Sequence, residues 1–181
     1  MEIKRGSSRI AVCGDSLIMK IPYFPPDRLK VLPSDLRTSW QMDGWKGLVE
    51  YFTDPDDCTC FQQRFLGGWL ANVREALWSR SLGDTVVPTH FSLAGLLNIQ
   101  STAEGANFDI ATLRQAVKAE IQDHITDAHT FLSPDNYGRH NGQVKLLDYG
   151  SRGAGDFVEK HRIAFRKALT ALSSRHAGEE A

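Results

Sequence analysis

The sequence predicts an α+β protein in which an antiparallel sheet comes first and helices dominate the second half. Short apolar alternations separated by turn residues fill positions 2–22 and recur at 86–101 and 143–147, which is typical of antiparallel strands. Longer stretches carry apolar residues at helical spacing and predict helices. These stretches are 34–52, 61–81, 109–129 and 156–172. A length of 181 residues fits one domain or two small lobes.

Composition narrows the classes of partner. A net charge of −1 provides no general attraction for nucleic acid or for an anionic membrane, so we expect neither as a partner. Neither a membrane-length apolar run nor an apolar signal segment is visible. Three cysteines, an odd number, argue against a disulfide framework, and we expect a cytoplasmic protein. Cys58 and Cys60 form a C-x-C pair without further evident ligands, so no zinc site is predicted.

Three short strands are predicted within 2–22, with turns at 5–8 and at Gly14-Asp15. A turn of small residues lets the backbone approach a ligand closely, so the N–H groups of the first turn could face a phosphate. These groups belong to Gly6, Ser7 and Ser8. Lys20 ends the apolar run of the third strand. It either extends to solvent or is paired, because burying an unpaired charge is costly.

A helix is predicted at 34–52, after four prolines have interrupted 22–33. Ser34 is its predicted N-cap. The apolar face of this helix holds Trp40, Trp45, Leu48 and Val49. We expect the two tryptophans to lie in the core.

A second helix is predicted at 61–81, although Gly67 and Gly68 weaken it. Its apolar residues fall at helical spacing, which predicts their burial. They are Phe65, Trp69, Leu70, Val73 and Leu77. Two strands follow, at 86–92 and 96–101.

Two further helices are predicted in the last third of the chain. The first, 109–129, has Asp109 as its candidate cap. Its apolar stripe is Leu113, Val117, Ile121 and Ile125. Residues 151–155 are expected to form a short flexible run before the final helix, 156–172. The apolar residues of that helix are Phe157, Ile163, Phe165, Ala168 and Leu172.

Asn136 and Asp148 are predicted to converge. Asn136 ends a proline-containing loop, a turn signal lies at 140–142, and Asp148 follows the strand at 143–147. A hairpin between the two positions would bring an amide oxygen and a carboxylate together. Such oxygens are ligands that Mg²⁺ accepts, so the sequence predicts a site for a hard cation.

Residues 129–150, HTFLSPDNYGRHNGQVKLLDYG, resemble the catalytic core of protein kinases, in which H-R-D-L-x-x-x-N precedes D-F-G. His129 and Asn136 take the His and Asn places, and Asp148-Tyr149-Gly150 takes the D-F-G place. Phe131 stands where the family has its catalytic Asp. In its shortness the chain is similar to small, degenerate kinase-like proteins of bacteria and phages.

The resemblance implies a protein kinase-like, two-lobed fold. An N-terminal lobe with an antiparallel sheet would cover 1–104, with an insertion at about 23–60 that could provide a partner surface. A truncated, mainly helical C-terminal lobe would cover 105–181. The resemblance also implies that the cofactors are ATP and Mg²⁺.

The resemblance also assigns roles to single residues. The residues implied to bind the nucleotide are Gly6, Ser7, Ser8, Lys20, Ser101, Ala103, Asn136 and Asp148. Asn136 and Asp148 would also hold the metal, and Gln100 would take the gatekeeper place beside the adenine. In the Gly-rich loop of the family, Gly6 fits the middle Gly, with Lys4 and Arg9 at the places of the other two.

Glu75 is the candidate partner of Lys20. In kinases, a Glu on the first large helix pairs with the strand Lys and holds it against the phosphates. Glu50 is the alternative partner.

Phe131 cannot accept a proton, so the resemblance implies nucleotide and metal binding more strongly than phosphoryl transfer. Asp127 and Asp135 are the nearby substitutes for the missing base. We therefore predict a pseudokinase that binds ATP and Mg²⁺ and acts through a protein partner.

Two alternatives remain open. The first is an active minimal, atypical kinase or other phosphoryl or nucleotidyl transferase, with Lys20, Glu75 and Asp148 as its catalytic residues. The second is an unrelated α+β binding domain, in which these three residues lie far apart.

Overall fold

The computed structural model describes residues 2–6, 8–23, 26–53, 61–105, 110–120, 131 and 133–177. The strands are β1 (Glu2–Arg5), β2 (Arg9–Cys13), β3 (Leu17–Pro22), β4 (Thr89–Ser92), β5 (Asn98–Ser101), β6 (Glu104–Gly105), β7 (Tyr137–His140) and β8 (Gln143–Leu146). The helices are α1 (Pro26–Leu29), α2 (Leu32–Thr53), α3 (Phe61–Ser81), α4 (Ile110–Glu120), α5 (Arg152–Lys160) and α6 (Arg162–Ala177). The predicted α+β class is confirmed.

Some sequence predictions fall on residues outside those described. They concern Ser7, Cys58, Cys60, Asp109, Ile121, Ile125, Asp127 and His129.

Strands β1 to β5 form an antiparallel sheet in the order β1-β2-β3-β5-β4. The predicted turns close its first two hairpins, because the N–H of Gly6 donates to Arg9 O at 2.9 Å and the N–H of Gly14 donates to Leu17 O at 2.9 Å. Strand β3 then pairs with the distant β5, with Leu17 opposite Ser101. The three strands predicted in 2–22 are confirmed, whereas the two predicted at 86–101 are shorter than expected.

A second antiparallel sheet has the order β6-β7-β8. Asn141 and Gly142 form its β7–β8 turn with φ values of 53° and 76°, and two positive φ values suit the twist of a tight hairpin. The segment before β4 pairs with β8, since the N–H of Val87 donates to Leu146 O at 3.0 Å. The hairpin that carries Asp148 is thereby tied to the segment that follows α3.

The largest hydrophobic cluster lies between the β7–β8 hairpin and helices α4, α5 and α6. Phe131 is fully buried there, with its ring centroid 4.5 Å from that of Phe157 and 5.7 Å from that of Phe165. Other members are Leu82, Val86, Leu113, Val117, Tyr137, Val144, Leu146, Tyr149, Val158, Ala168, Leu169 and Leu172. The position that resembles the kinase catalytic Asp therefore belongs to the core.

Helix α3 has the predicted bounds, and its two glycines do not interrupt it. A Cβ on Gly68 would collide with the carbonyl of Ser8, whereas a Cβ on Gly67 would meet nothing within 4 Å. Gly68 thus allows α3 to approach the β1–β2 turn. The predicted burial of Leu77 is wrong, because that side chain faces solvent.

Helix α2 departs from its prediction in three ways. It begins at Leu32, so Ser34 is not its N-cap; the Ser34 hydroxyl donates to Val31 O at 2.7 Å. Non-helical backbone at Asp43 and Gly44 kinks the helix. The tryptophans expected in the core are exposed, Trp40 by 49% and Trp45 by 74%. They pack edge to face on each other, with centroids 5.6 Å apart.

The C-terminal helices differ from their prediction at the start. Residues 151–155 are not a flexible run, because Ser151 caps α5 by accepting a hydrogen bond from the N–H of Ala154 at 3.1 Å. Gly155 lies against the Trp78 indole, where a Cβ would collide with the ring. His161 separates α5 from α6, and Ile163, one of the apolar residues of the predicted helix, is exposed. Strand β6 and helix α1 were not predicted.

Within the described ranges, no helix has the length and apolar character that crossing a membrane requires.

Candidate functional site

Charged side chains from three parts of the chain meet beside the first sheet. Lys20 comes from β3 and Arg9 from the neighbouring strand β2, Glu75 comes from the middle of α3, and Asp148 follows β8. The sheet, the helix and the hairpin must therefore all be in place before the site exists.

Lys20 and Glu75 form the predicted pair, with Lys20 Nζ 2.9 Å from Glu75 Oε1. Lys20 Nζ also donates to Leu147 O at 3.4 Å. The Glu75 side chain is 0% exposed, so its charge needs cationic partners. The alternative partner, Glu50, instead lies 3.6 Å from Lys46 on the exposed helix α2.

Arg9 joins both carboxylates of the site. Its guanidinium lies 2.7 Å from Glu75 Oε1 through Nη1 and 2.8 Å from Asp148 Oδ1 through Nη2. The structure thus brings Lys20, Glu75 and Asp148 to a common cluster, and Arg9 connects its two ends. The separation expected of an unrelated domain is not observed.

The role of Arg9 in this cluster was missed in the sequence, where Arg9 appeared only as a misfit in the Gly-rich pattern. Side chains alternate between the two faces of a strand, so Arg9 and Ala11 project from the same face of β2. Ala11 is the cross-strand neighbour of Lys20. This alternation was the available signal that Arg9 and Lys20 share a face.

The charges of the cluster shift the pKa values of Asp148 and Arg9. Partial desolvation would by itself raise the pKa of the Asp148 carboxyl, whose side chain is 54% exposed, but the positive charges of Arg9 and Lys20 outweigh it and lower that pKa below its usual 3.8. Burial likewise opposes the charge of Arg9, yet Glu75 and Asp148 raise its pKa. The second carboxylate oxygen of Glu75, Oε2, is buried without a hydrogen-bond partner among the described residues.

Asn72 holds α3 against the sheet. Its amide nitrogen donates to Lys20 O at 3.1 Å and to Gly95 O at 3.0 Å. The side chain of Asn98, on β5, donates to Asn72 O at 2.7 Å. Because Asn72 lies one turn before Glu75, these bonds fix where the Glu75 carboxylate meets β3. Neither asparagine was predicted.

Tyr149 anchors the segment after β8. Its hydroxyl donates to Val87 O at 2.7 Å, and the amide nitrogen of Gln100 donates to the same carbonyl at 3.2 Å. Burial raises the pKa of the Tyr149 hydroxyl. Gln100, expected beside the adenine, is itself almost fully buried.

A cleft with a cavity volume of about 220 Å³ opens at this cluster. Ala11, Ile18 and Leu147 form an apolar part of its wall, and Gln100 also lines it. Lys20, Arg9 and Asp148 line it as well, together with Lys4 and Gly6. The cleft therefore combines a surface for a flat apolar group with cations for an anionic one.

Two of the predicted contact residues use their backbone N–H groups within the protein. The N–H of Gly6 closes its own turn by donating to Arg9 O at 2.9 Å. Ser101 donates its N–H to Pro88 O at 3.0 Å. Ser8, Ser101 and Ala103 are not among the described residues that line the cleft.

Asn136 and Asp148 are brought close through the backbone. Asn136 ends the 3₁₀ turn Pro134–Asn136, and its carbonyl accepts a hydrogen bond from the N–H of Leu147 at 2.7 Å. No group of three or more His, Cys, Asp or Glu that could hold a metal occurs in the described part of the chain. A magnesium ion here would need oxygens from a bound phosphate and from water.

One of the two candidates for the missing base lies within the described residues. Asp135 lies in the 3₁₀ turn and is exposed, and Asp127 is outside the described residues. The Phe131 backbone carbonyl accepts a hydrogen bond from the Tyr137 hydroxyl at 3.0 Å.

Comparisons with protein-family models, with curated proteins and with solved structures gave no match for this chain.

Proposed function

We propose that the protein binds ATP in the cleft beside the first sheet. The observation that carries this proposal is the buried Glu75, which holds Lys20 at 2.9 Å on the wall of a cleft that also has apolar surface. A buried ion pair contributes little net stability, since desolvation offsets its attraction. A lysine positioned at a cavity is, in contrast, suited to contact phosphate.

The roles within the cleft follow from side-chain chemistry. Lys20 contacts the phosphates, while Ala11, Ile18 and Leu147 pack against the base. Asp148 and Asn136 are the residues that would hold Mg²⁺, which would supply charge neutralisation to the phosphates. Arg9 competes for the same Asp148 oxygen, so metal binding would require Asp148 to share or exchange this partner.

We propose nucleotide binding without efficient phosphoryl transfer, as in a pseudokinase. The position that resembles the catalytic Asp is Phe131, which is buried in the core. General acid–base help is typically worth ~10²–10⁴-fold in rate. Phosphoryl transfer by a minimal kinase remains the alternative. Asp135, which is exposed, is the substitute base that lies within the described residues.

A protein partner is the second part of the proposal, and helix α2 favours it. Met42 is 80% exposed, and it lies between the exposed Trp40 and Trp45. Tryptophan and methionine are enriched where proteins contact each other. We also propose a cytoplasmic location, where ATP is available and where the odd number of cysteines is accommodated.

Calorimetric titration of ATP, with and without Mg²⁺, tests nucleotide binding. The variants are Lys20→Met and Asp148→Asn, and the control is Asp27→Asn, whose carboxylate is on the surface and 3.4 Å from Lys30. We expect Lys20→Met to weaken ATP binding at least tenfold, Asp148→Asn to remove its dependence on Mg²⁺, and Asp27→Asn to change neither. Absence of binding by the folded wild type would refute the nucleotide proposal and leave a protein that acts through a partner alone.

A further inference from the structure

A second cavity, of about 330 Å³, adjoins the nucleotide cleft. The two share Gly6, Arg9 and Asp148 in their walls. The second cavity extends from this shared wall towards α1 and the middle of α3, where Arg28 and Arg74 line it. It has no counterpart in the roles assigned above.

The lining of this cavity is rich in positive charge. Arg9, Arg28 and Arg74 contribute three guanidinium groups, and Asp148 is the carboxylate among its described lining residues. Glu75 lies just beyond the wall, where its carboxylate pairs with both Arg9 and Lys20.

Small and hydroxyl side chains complete the wall. Gly67 and Ala71 belong to α3, and Gly150 lies so close to Ala71 that a Cβ on Gly150 would press on its backbone. Ser8 and Ser151 also line the cavity. Because these residues are short, the guanidinium groups surround open space with hydrogen-bonding groups at its edge.

We propose that this cavity is a phosphoryl-binding pocket, in which Arg28 and Arg74 contact the anion and Arg9 links it to the nucleotide cleft. Guanidinium groups match the geometry of phosphate oxygens through paired, charge-assisted hydrogen bonds. The phosphoryl group comes either from the distal end of a nucleotide in the cleft or from a separate phosphate. The proposal goes beyond ATP binding, because it holds even if the cleft accepts no base.

Calorimetric titration of inorganic pyrophosphate into the full chain tests the pocket. Arg28→Gln/Arg74→Gln removes two of its cations. The matched control is Arg80→Gln/Arg114→Gln, which removes two exposed arginines from helices without touching the described wall. We expect the first double variant to weaken pyrophosphate binding at least tenfold and the control to leave it within twofold. Equal loss in both variants, or no binding by wild type, would overturn the proposal.

A substitution that adds charge makes the test independent of how the arginine variants fold. Gly67 lines the pocket and has open space around its Cβ position, so Gly67→Glu places a carboxylate at the wall without an evident clash. We expect Gly67→Glu to weaken pyrophosphate binding and Gly67→Gln to have less effect. Unchanged binding by a folded Gly67→Glu would count against the pocket.

Competition distinguishes the two sources of the phosphoryl group. If ATP supplies it, pyrophosphate and ATP exclude each other, and Arg28→Gln/Arg74→Gln weakens ATP but not AMP. If the source is separate, protein saturated with ATP still binds pyrophosphate; either result supports the pocket. Lys20→Met separates this inference from the proposed function, because it should weaken ATP and spare pyrophosphate.

Discussion

Arg9 and Asp148 lie on segments that are remote in the chain, yet their side chains are 2.8 Å apart. Motif matching points to Asp148, because an Asp after a short strand is a recognisable pattern. It does not point to Arg9, whose importance depends on which face of β2 meets α3. Residues recognised by their neighbours in sequence could therefore be predicted, whereas residues recognised by their neighbours in space could not.

The contribution of Asp148 to stability should depend on pH. Its pKa is lower in the folded protein than the usual 3.8, so the folded state favours the carboxylate. That stabilisation is present above the unfolded pKa and is lost as the pH falls through the folded pKa. We expect the difference in unfolding free energy between wild type and Asp148→Asn to be constant near neutral pH and to shrink below about pH 4.

Urea unfolding of both proteins across this range measures that difference. A difference that grows on acidification would contradict the direction of the shift.

Tyr149→Phe should affect stability rather than binding. The substitution removes the hydroxyl that donates to Val87 O at 2.7 Å and that also lies 3.1 Å from Thr89 Oγ1 and 3.4 Å from Gln100 Nε2. Gln100 still donates to the Val87 carbonyl. We expect a loss of about 1 to 3 kcal/mol in unfolding free energy, because buried partners of the hydroxyl lose a hydrogen bond. Denaturant unfolding gives the loss, and ATP titration should give an unchanged Kd.

Helix α3 was predicted with its observed bounds because its apolar periodicity is local information. Its glycine pair was interpreted as a weakness, since helix propensity alone cannot show that Gly68 faces Ser8 at close range. Helix α2 shows a second limit of local sequence information. Its span was predicted closely, but periodicity identified an apolar face without indicating whether anything covers it. Trp40 and Trp45 are therefore exposed where burial was expected.

The two glycines of α3 provide a matched pair of substitutions. Gly67→Ala should raise the unfolding free energy by up to about 1 kcal/mol, because alanine favours the helix and has room. Gly68→Ala gains the same propensity but drives its Cβ into the Ser8 carbonyl, so it should be destabilising. Thermal and urea unfolding of both variants test this, and a stabilised Gly68→Ala would show that α3 and the β1–β2 turn are not in close contact.

The core at the centre of the molecule limits how activity could be restored. By resemblance, Phe131→Asp would supply the missing base. Phe131 is instead fully buried between Phe157 and Phe165. We expect Phe131→Asp to lose more than about 3 kcal/mol of unfolding free energy, through a lost aromatic ring and a buried carboxylate.

Phe131→Leu is the control, because it keeps the site apolar and should cost less. Circular dichroism and urea unfolding distinguish the two. A folded Phe131→Asp that transfers phosphate from ATP would show that this side chain can reach the cleft and that the protein is closer to an active kinase.

Across the described residues, the predicted order of strands and helices was largely right because turns and periodicities are local. The elements that escaped prediction depend on distant partners. Strand β6 is two residues long and exists through its pairing with β7. The charged cluster was predicted only where family resemblance supplied the spatial relation between Lys20, Glu75 and Asp148.

The pairing of Arg9 with Asp148 spans 139 positions of sequence. One edge of β3 pairs with β2, and its other edge pairs with the distant strand β5. Contacts this remote form slowly, because a long loop must close before they give any stabilisation. During synthesis, the first three strands leave the ribosome long before their partners do. We therefore expect the cleft to be one of the last features to form, so that ligand binding would report that β2 and the segment after β8 have come together.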